Sequence, residues 1–309
     1  MKRIRSICFC ILFFFVYPTT HLLAQTVTYL NLTTDARALS LGGTGVISPA
    51  SAFAIYNNNA ATALSPFKGA FAASYTMWQP ATTDNQLMSL SGFIKMGKRS
   101  AISLGSRLFL YPAYDLSNPQ GSVTGAFNPR ALSVDLGYAY NISGSFSASA
   151  TVHYISSKLG TEAAGSAYAA DLGLMYQPGN FSLGLTATNL GSKIDYGYGP
   201  YTLPAQIKLG AGYHFSLQEK HLLTAAVQAG YLIVNSGITA GIGLEYSYNN
   251  LISLRVGGHY GNPEKGIPSH LSAGLGFNFK GLTLNAAYLL AQKDSPLANS
   301  LSVGLGWAF

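Results

Sequence analysis

The stretch Ser300-Leu-Ser-Val-Gly-Leu-Gly-Trp-Ala-Phe309 decides the fold. Leu301, Val303, Leu305, Trp307 and Phe309 share one parity, and Ser302, Gly304, Gly306 and Ala308 share the other. Successive side chains of a β-strand point to opposite faces. This strand therefore has one wholly apolar face and one nearly bare face. An apolar stripe that runs to an aromatic end residue needs a cover other than water.

The same pattern repeats backwards through the chain. Segments of about ten residues alternate in polarity between turn residues at Gly69–Trp78, Gln86–Met96, Ser100–Tyr111, Ala131–Asn141, Ser145–Ser156, Tyr168–Gln177, Asn180–Asn189, Ala205–Phe215, Leu222–Leu232, Gly237–Tyr248, Leu251–Tyr260, His270–Phe279, Gly281–Leu290 and Ser300–Phe309. These fourteen segments predict an all-β fold, a 14-stranded antiparallel transmembrane β-barrel occupying residues 69–309. Their connections alternate in length. Gly97-Lys98-Arg99, Ile142-Ser143-Gly144, Pro178-Gly179, Asn249-Asn250 and Lys280-Gly281 are tight, whereas Pro112–Arg130 and Leu190–Pro204 are long. Outer-membrane barrels have short periplasmic turns and longer external loops; a soluble sandwich has no reason to sort its connections this way. Ile233–Ser236 is the exception, a short link at an external position.

Charge placement assigns the faces. In Leu251–Tyr260 the residues Ile252, Leu254, Val256 and Tyr260 oppose Ser253, Arg255, Gly257 and His259. Arg107, Asp135, His153, Asp171, Lys208, Gln228, Glu245 and Asn285 likewise fall on the small, polar parity of their strands. A charge facing hydrocarbon at mid-membrane costs roughly 2–4 kcal/mol, so the apolar parity faces lipid and the charges face a lumen. Ten residues at about 3.3 Å each, tilted by roughly 40°, span about 25 Å, the height of the apolar band. Tyrosines near strand ends, such as Tyr138, Tyr154 and Tyr260, supply the interfacial girdles.

Composition agrees. Charged residues are 9% of 309, with 34 glycines and 20 tyrosines; soluble domains average about 25% charged. Residues 1–24 read as a signal peptide, with Lys2, Arg3 and Arg5 before an apolar run and cleavage after Ala24. Both cysteines, Cys8 and Cys10, lie in it, so the mature chain has no disulfide and no cysteine metal site. Without the leader, 15 cations face 11 acids for a net +4, and no cationic run points to nucleic acid.

Residues 25–68 break the strand rhythm. Their helix-friendly pieces and the turn Gly42-Gly43-Thr44-Gly45 predict a hatch folded back into the lumen. The glycines lack the Lys-Ser/Thr and the βαβ setting of a phosphate loop. Small lumen-facing residues, Gly105, Gly137, Gly173, Gly243, Gly257, Gly274, Gly276, Gly304 and Gly306, leave the hatch room. Asp35, Arg37, Arg107, Asp135, Asp171, Lys208, Glu245 and Arg255 form a candidate network bonding hatch to wall.

Two passages carry a family resemblance. Thr34-Asp-Ala-Arg-Ala-Leu-Ser-Leu-Gly-Gly-Thr-Gly-Val46, followed by Ala54-Ile-Tyr-Asn-Asn-Asn-Ala-Ala61, resembles the amino-terminal signature of the PorV/PorQ family. Asn189-Leu-Gly-Ser-Lys-Ile-Asp-Tyr196, Leu203-Pro204 and Ile207-Lys-Leu-Gly-Ala-Gly-Tyr213 extend it. The family's Asn-Pro-Ala is Asn58-Asn59-Ala60 here. The resemblance implies a fold related to the FadL fatty-acid channels, with fourteen strands and an N-terminal hatch. It also implies type IX secretion in the outer membrane of Bacteroidota, accepting secreted cargo by its C-terminal signal domains. Pro112–Arg130 and Leu190–Pro204 are then the docking surface, with Tyr114, Asp115, Tyr196, Tyr198 and Tyr201 as candidate contacts. Trp307 and Phe309 resemble the C-terminal signal read by the barrel-assembly machinery. Both mature termini are expected in the periplasm.

No catalytic constellation emerges. His270 and Ser272 lie two apart on one face, as in outer-membrane phospholipases, but that face is the lumen. The histidines show no metal-site spacing, and no cofactor is implied. The competing function is a FadL-like channel for small hydrophobic compounds. It needs an apolar external pocket, whereas the external loops are mostly polar. A general porin is disfavoured by the hatch.

Overall fold

The computed structural model describes residues 27–80, 82–292 and 295–309. The signal-peptide reading of residues 1–24 lies outside them. The strands are β1 (Gly69–Trp78), β2 (Asn85–Met96), β3 (Ser100–Leu110), β4 (Tyr114–Ser117), β5 (Val123–Phe127), β6 (Arg130–Ser143), β7 (Phe146–Lys158), β8 (Ala164–Tyr176), β9 (Phe181–Gly191), β10 (Ile194–Asp195), β11 (Pro200–Tyr201), β12 (Gln206–Gln218), β13 (His221–Leu232), β14 (Gly237–Tyr248), β15 (Ile252–Gly261), β16 (His270–Phe279), β17 (Leu282–Leu290) and β18 (Leu301–Ala308). Fourteen of them form a closed antiparallel barrel. β4–β5 and β10–β11 are small hairpins within the two longest loops. β18 closes the wall against β1, from Ala70 opposite Ala308 to Met77 opposite Leu301.

Alternation builds the wall as the parity argument requires. In β6, Leu132, Val134, Leu136, Tyr138 and Tyr140 are exposed, while Ala131, Ser133, Asp135 and Ala139 are buried. Among the described residues no helix is long and apolar enough to cross a membrane; the strands do so. Tight hairpins gather at one end. Lys280 (φ 50°) and Gly281 (φ 87°) form a two-residue turn with both central φ positive, the geometry whose twist matches the flanking strands. One further tight turn, Glu219-Lys220, links β12 to β13. β12, expected to end at Phe215, runs on to Gln218 through an irregularity in pairing between Ser216 and Gln218.

Residues 27–68 pack against the inward face. They contain 3-10 turns at Thr28–Asn31, Gly45–Ile47 and Asn59–Leu64 and two short helices, α1 (Ala36–Ser40) and α2 (Ala54–Asn57). Val27, Tyr29 and Leu30 are buried with Leu87, Phe109, Ile194 and Leu203 at the loop end. Phe309 lies at the turn end, where its carbonyl accepts from Lys68 N at 2.7 Å. The expectation that the chain's two ends share one rim is corrected for the described residues. The described part of the segment starts in the loop half, where Leu87, Phe109, Ile194 and Leu203 cover its apolar residues Val27, Tyr29 and Leu30, and it crosses the lumen to β1.

Candidate functional site

Backbone contact with glycines seats the segment. A Cβ on Gly257 or on Gly243 would collide with the backbone of Leu41, and on Gly257 also with Gly42. Hydrogen bonds complete the fit. Ser272 Oγ donates to Ser40 O (3.0 Å) and accepts from Gly42 N (3.2 Å), and Gln228 Oε1 accepts from Val46 N (3.1 Å). Ser272 is thus occupied in holding the segment. Asn58 Nδ2 donates to Leu174 O (2.9 Å), and Ser103 Oγ donates to Asn59 Oδ1 (2.6 Å). Asn59 is the first residue of its 3-10 turn, a position where proline is favoured because its missing N–H costs nothing. Asparagine keeps the turn and adds a bond to the wall.

The eight candidate network residues do not form one network. They separate into two clusters, leaving Lys208 apart. In the turn half, Glu245 accepts two bonds from Arg37, at 2.8 and 3.0 Å, and a third from Arg255 Nε. Arg255 also donates to Asn285 Oδ1 at 2.8 Å. Such two-pronged guanidinium–carboxylate contacts are strong and directional. Asp35, expected to tie the hatch to the wall, instead accepts from Arg37 N at 2.9 Å and caps α1. Burial raises its carboxyl above the ordinary range, against the opposing pull of Arg37.

In the loop half the cluster belongs to the wall. Arg107 lies 3.6 Å from Asp135 Oδ1 and donates to Ser133 Oγ at 3.1 Å. His153, which the pattern reading left out of the network, joins the two acids. Its Nδ1 is 2.6 Å from Asp135, and its Nε2 is 3.0 Å from Asp171 in an ion contact lacking hydrogen-bond angles. Strand register brings Asp135 opposite His153; only register, not spacing in sequence, could have revealed it. Asp171 sits where β8 and β9 shift register, and accepts from Asn189 N at 2.6 Å. The segment meets this cluster through Leu30 O, which accepts from Arg107 at 3.2 Å, and through the Tyr56 ring, 4.7 Å beneath the guanidinium. Lys208 makes no hydrogen bond or ion pair among the described residues.

Three cavities follow the lumen. One of about 410 Å³ lies at the loop end, bordered by Leu39, Trp78, Phe109, Tyr111, Leu232, Ile267 and Lys208. One of about 340 Å³ lies at the turn end, bordered by Arg37, Glu245 and Arg255. Between them is a void of about 20 Å³ near Arg107, Asp171 and Asn57, room for about one water. An external pocket is therefore present, with apolar groups from strand ends, the segment and the loop residues Tyr111 and Ile267 beside polar ones such as Asn31, Gln206 and Lys208.

The loop contacts divide. Tyr198 is 80% exposed and Tyr114 42% exposed, and Asp115 is exposed as well. Tyr196 is buried over Val27, Tyr29 and Leu30, and Tyr201 is half-buried with its ring 5.9 Å from that of Tyr196. Tyr196 is therefore corrected from a contact residue to part of the cover over the segment, since its ring faces the apolar cluster below. Trp307 and Phe309 remain on the lipid face, their rings 5.2 Å apart.

Residues 18–238 match the family described as "Type IX secretion system protein PorV". The chain belongs to the PorV family. Solved structures of similar fold include the Pseudomonas putida toluene transporter TodX (15% identity, 88% of this chain and 95% of that chain, TM-score 0.62). The Ralstonia pickettii toluene transporter TbuX (16%, 88% and 97%, 0.60) is another. A Pseudomonas aeruginosa FadL homologue aligns at 14% identity over 90% of this chain and 96% of that chain, with a TM-score of 0.55. At these identities the likeness shows the fold alone. No curated protein matches. This PorV-family chain is an outer-membrane β-barrel of FadL-like fold.

Proposed function

We propose that this PorV-family barrel receives type IX secretion cargo at the cell surface through loops 112–130 and 190–204. The amino-terminal segment, residues 25–68, serves as a hatch that keeps the lumen shut. The observation that carries this reading is the division of labour along the barrel axis. The lumen narrows to a single-water void between two cavities, so the loop hairpins offer the accessible surface. Tyr114 and Tyr198 stand exposed on it, and tyrosine supplies contact area at low entropic cost. The leader through Ala24 is removed on export, the host belongs to Bacteroidota, and the turn end faces the periplasm.

Tagged protein pulled from mildly solubilised outer membranes of its host tests the proposal. Secreted proteins bearing C-terminal signal domains should be recovered, and replacing residues 112–130 or 190–204 should abolish recovery. Recovery of the barrel alone would turn the reading to a second one, which the 410 Å³ outward cavity favours: a FadL-like channel for small hydrophobic compounds. Its size falls in the range of ligand sites, and passage would require the segment to move.

A further inference from the structure

Charge is sorted by level along this barrel. In the lumen Arg37, Arg107, Lys208 and Arg255 are matched by four acids, Asp35, Asp135, Asp171 and Glu245. Around the loop end, acids and bases are interspersed. The turn end is different. Lys280 precedes β17, Lys68 precedes β1, and Lys98-Arg99 join β2 to β3. In the barrel order, β16, β17, β18, β1, β2 and β3 are consecutive neighbours, so these four cations lie on one arc of the rim. Backbone bonds tie the arc together: Ala308 N to Gly281 O (3.0 Å), Lys68 N to Phe309 O (2.7 Å) and Lys95 N to Lys68 O (2.8 Å). No acidic side chain belongs to these turns, and among the described residues none of the four cations forms an ion pair. Of the turns on the opposite side, 143–145 and 177–180 carry no charge, and the turn between β12 and β13 offsets Lys220 with Glu219.

The membrane face of the same arc is aromatic. Phe71, Phe279, Trp307 and Phe309 are exposed on the lipid side just inside the cations. Phe71 meets Trp307 edge-on at 5.6 Å, and Lys280 Nζ lies 5.4 Å over the Phe279 ring. Rings at the headgroup level with ammonium and guanidinium groups one step farther out match the layering of a phospholipid leaflet, from acyl chain to phosphate.

We propose that Lys68, Lys98, Arg99 and Lys280 bind the phosphates of anionic phospholipids in the leaflet at the turn end. The aromatic patch around Trp307 packs the glycerol and upper acyl region of the same lipids. A phospholipid is the occupant favoured over an acidic protein, because the aromatic half of the site opens into the membrane. A water-borne partner would meet only the turn tips. Each cation near an anionic surface is worth about fivefold in affinity.

The test is lipid retention. Wild type and a Lys68→Gln/Lys98→Gln/Arg99→Gln/Lys280→Gln variant are passed through mixed phosphatidylglycerol–phosphatidylcholine nanodiscs, returned to detergent, and their bound lipids counted by native mass spectrometry. Heat-modifiable migration on gels verifies that each is folded. An Arg130→Gln/Lys158→Gln/Lys193→Gln/Lys265→Gln variant at the loop end is the charge-matched control. Wild type and control should retain phosphatidylglycerol over phosphatidylcholine by roughly tenfold or more, and the four-site variant should lose that preference. Equal retention of both lipids by wild type overturns the proposal, as does a preference unchanged in the four-site variant. Capture of an acidic protein through these cations without any lipid preference also overturns it.

Discussion

The two charge clusters in the lumen look alike in composition and differ in what they join. In the loop half, Arg107, Asp135, His153 and Asp171 all stand on strands, and the carboxylate of Asp135 is wholly buried. Both ring nitrogens of His153 face carboxylate oxygens, Nδ1 that of Asp135 and Nε2 that of Asp171. In the turn half, Arg37 comes from the segment and Glu245 and Arg255 from the wall. That cluster borders an open cavity, and the Arg37 side chain keeps 17% of its exposure. The first cluster stiffens the barrel. The second fastens the segment to it. Similar chemistry thus serves cohesion where water is excluded and attachment where water is near.

Breaking the wall cluster should have the largest effect. Asp135→Ala leaves Arg107 and His153 buried without their shared anion, a loss of about 3–5 kcal/mol. It should appear as a lowered temperature for the heat-modifiable gel shift; an unchanged midpoint would mean the wall does not depend on this cluster. Glu245→Ala should cost less, about 2 kcal/mol, because water from the turn-end cavity can solvate the two arginines. Its signature should be different as well. Protease should cleave within residues 27–68 before the barrel unfolds. If the barrel midpoint falls as far as in Asp135→Ala and the segment stays protected, the distinction between the clusters fails.

Gly257→Val probes the segment without touching a charge. The added side chain meets the backbone at Leu41 and Gly42, and overpacking of this kind costs about 1–3 kcal/mol. Conductance in planar bilayers should rise as the segment is displaced while the gel shift remains. Conductance at the wild-type level would show that the seat tolerates crowding. The smallest effect on stability is expected at the loops. Tyr198→Ala should change the unfolding midpoint by no more than about 0.5 kcal/mol, yet reduce cargo recovery. Unchanged recovery would remove Tyr198 from the docking surface.

The barrel was legible because its two solvents are so unlike. Lipid on one face and a packed lumen on the other force strict alternation, and alternation needs no knowledge of neighbours. Strand number, lipid-facing parity and the sorting of turns from loops could all be read from residues such as those of β18. Strand ends were less legible: β12 runs past Phe215 to Gln218, with an irregular register there that depends on its partner strand. The candidate site was legible only as a set of inward charges. Their partition into clusters depends on register, which sets Asp135 against His153 and Glu245 against Arg255.

What the sequence by itself determined is thus the solvent of each side chain: which face meets lipid, which charges turn inward, and where glycine leaves room. What only the tertiary structure decided is which inward groups meet. Pairing between strands, and between wall and segment, joins residues far apart in sequence, such as Arg37 and Glu245. It also turned Tyr196 down onto the segment and left Tyr198 outside. A local polarity pattern states whether a group is buried; it takes the closed barrel to say against what.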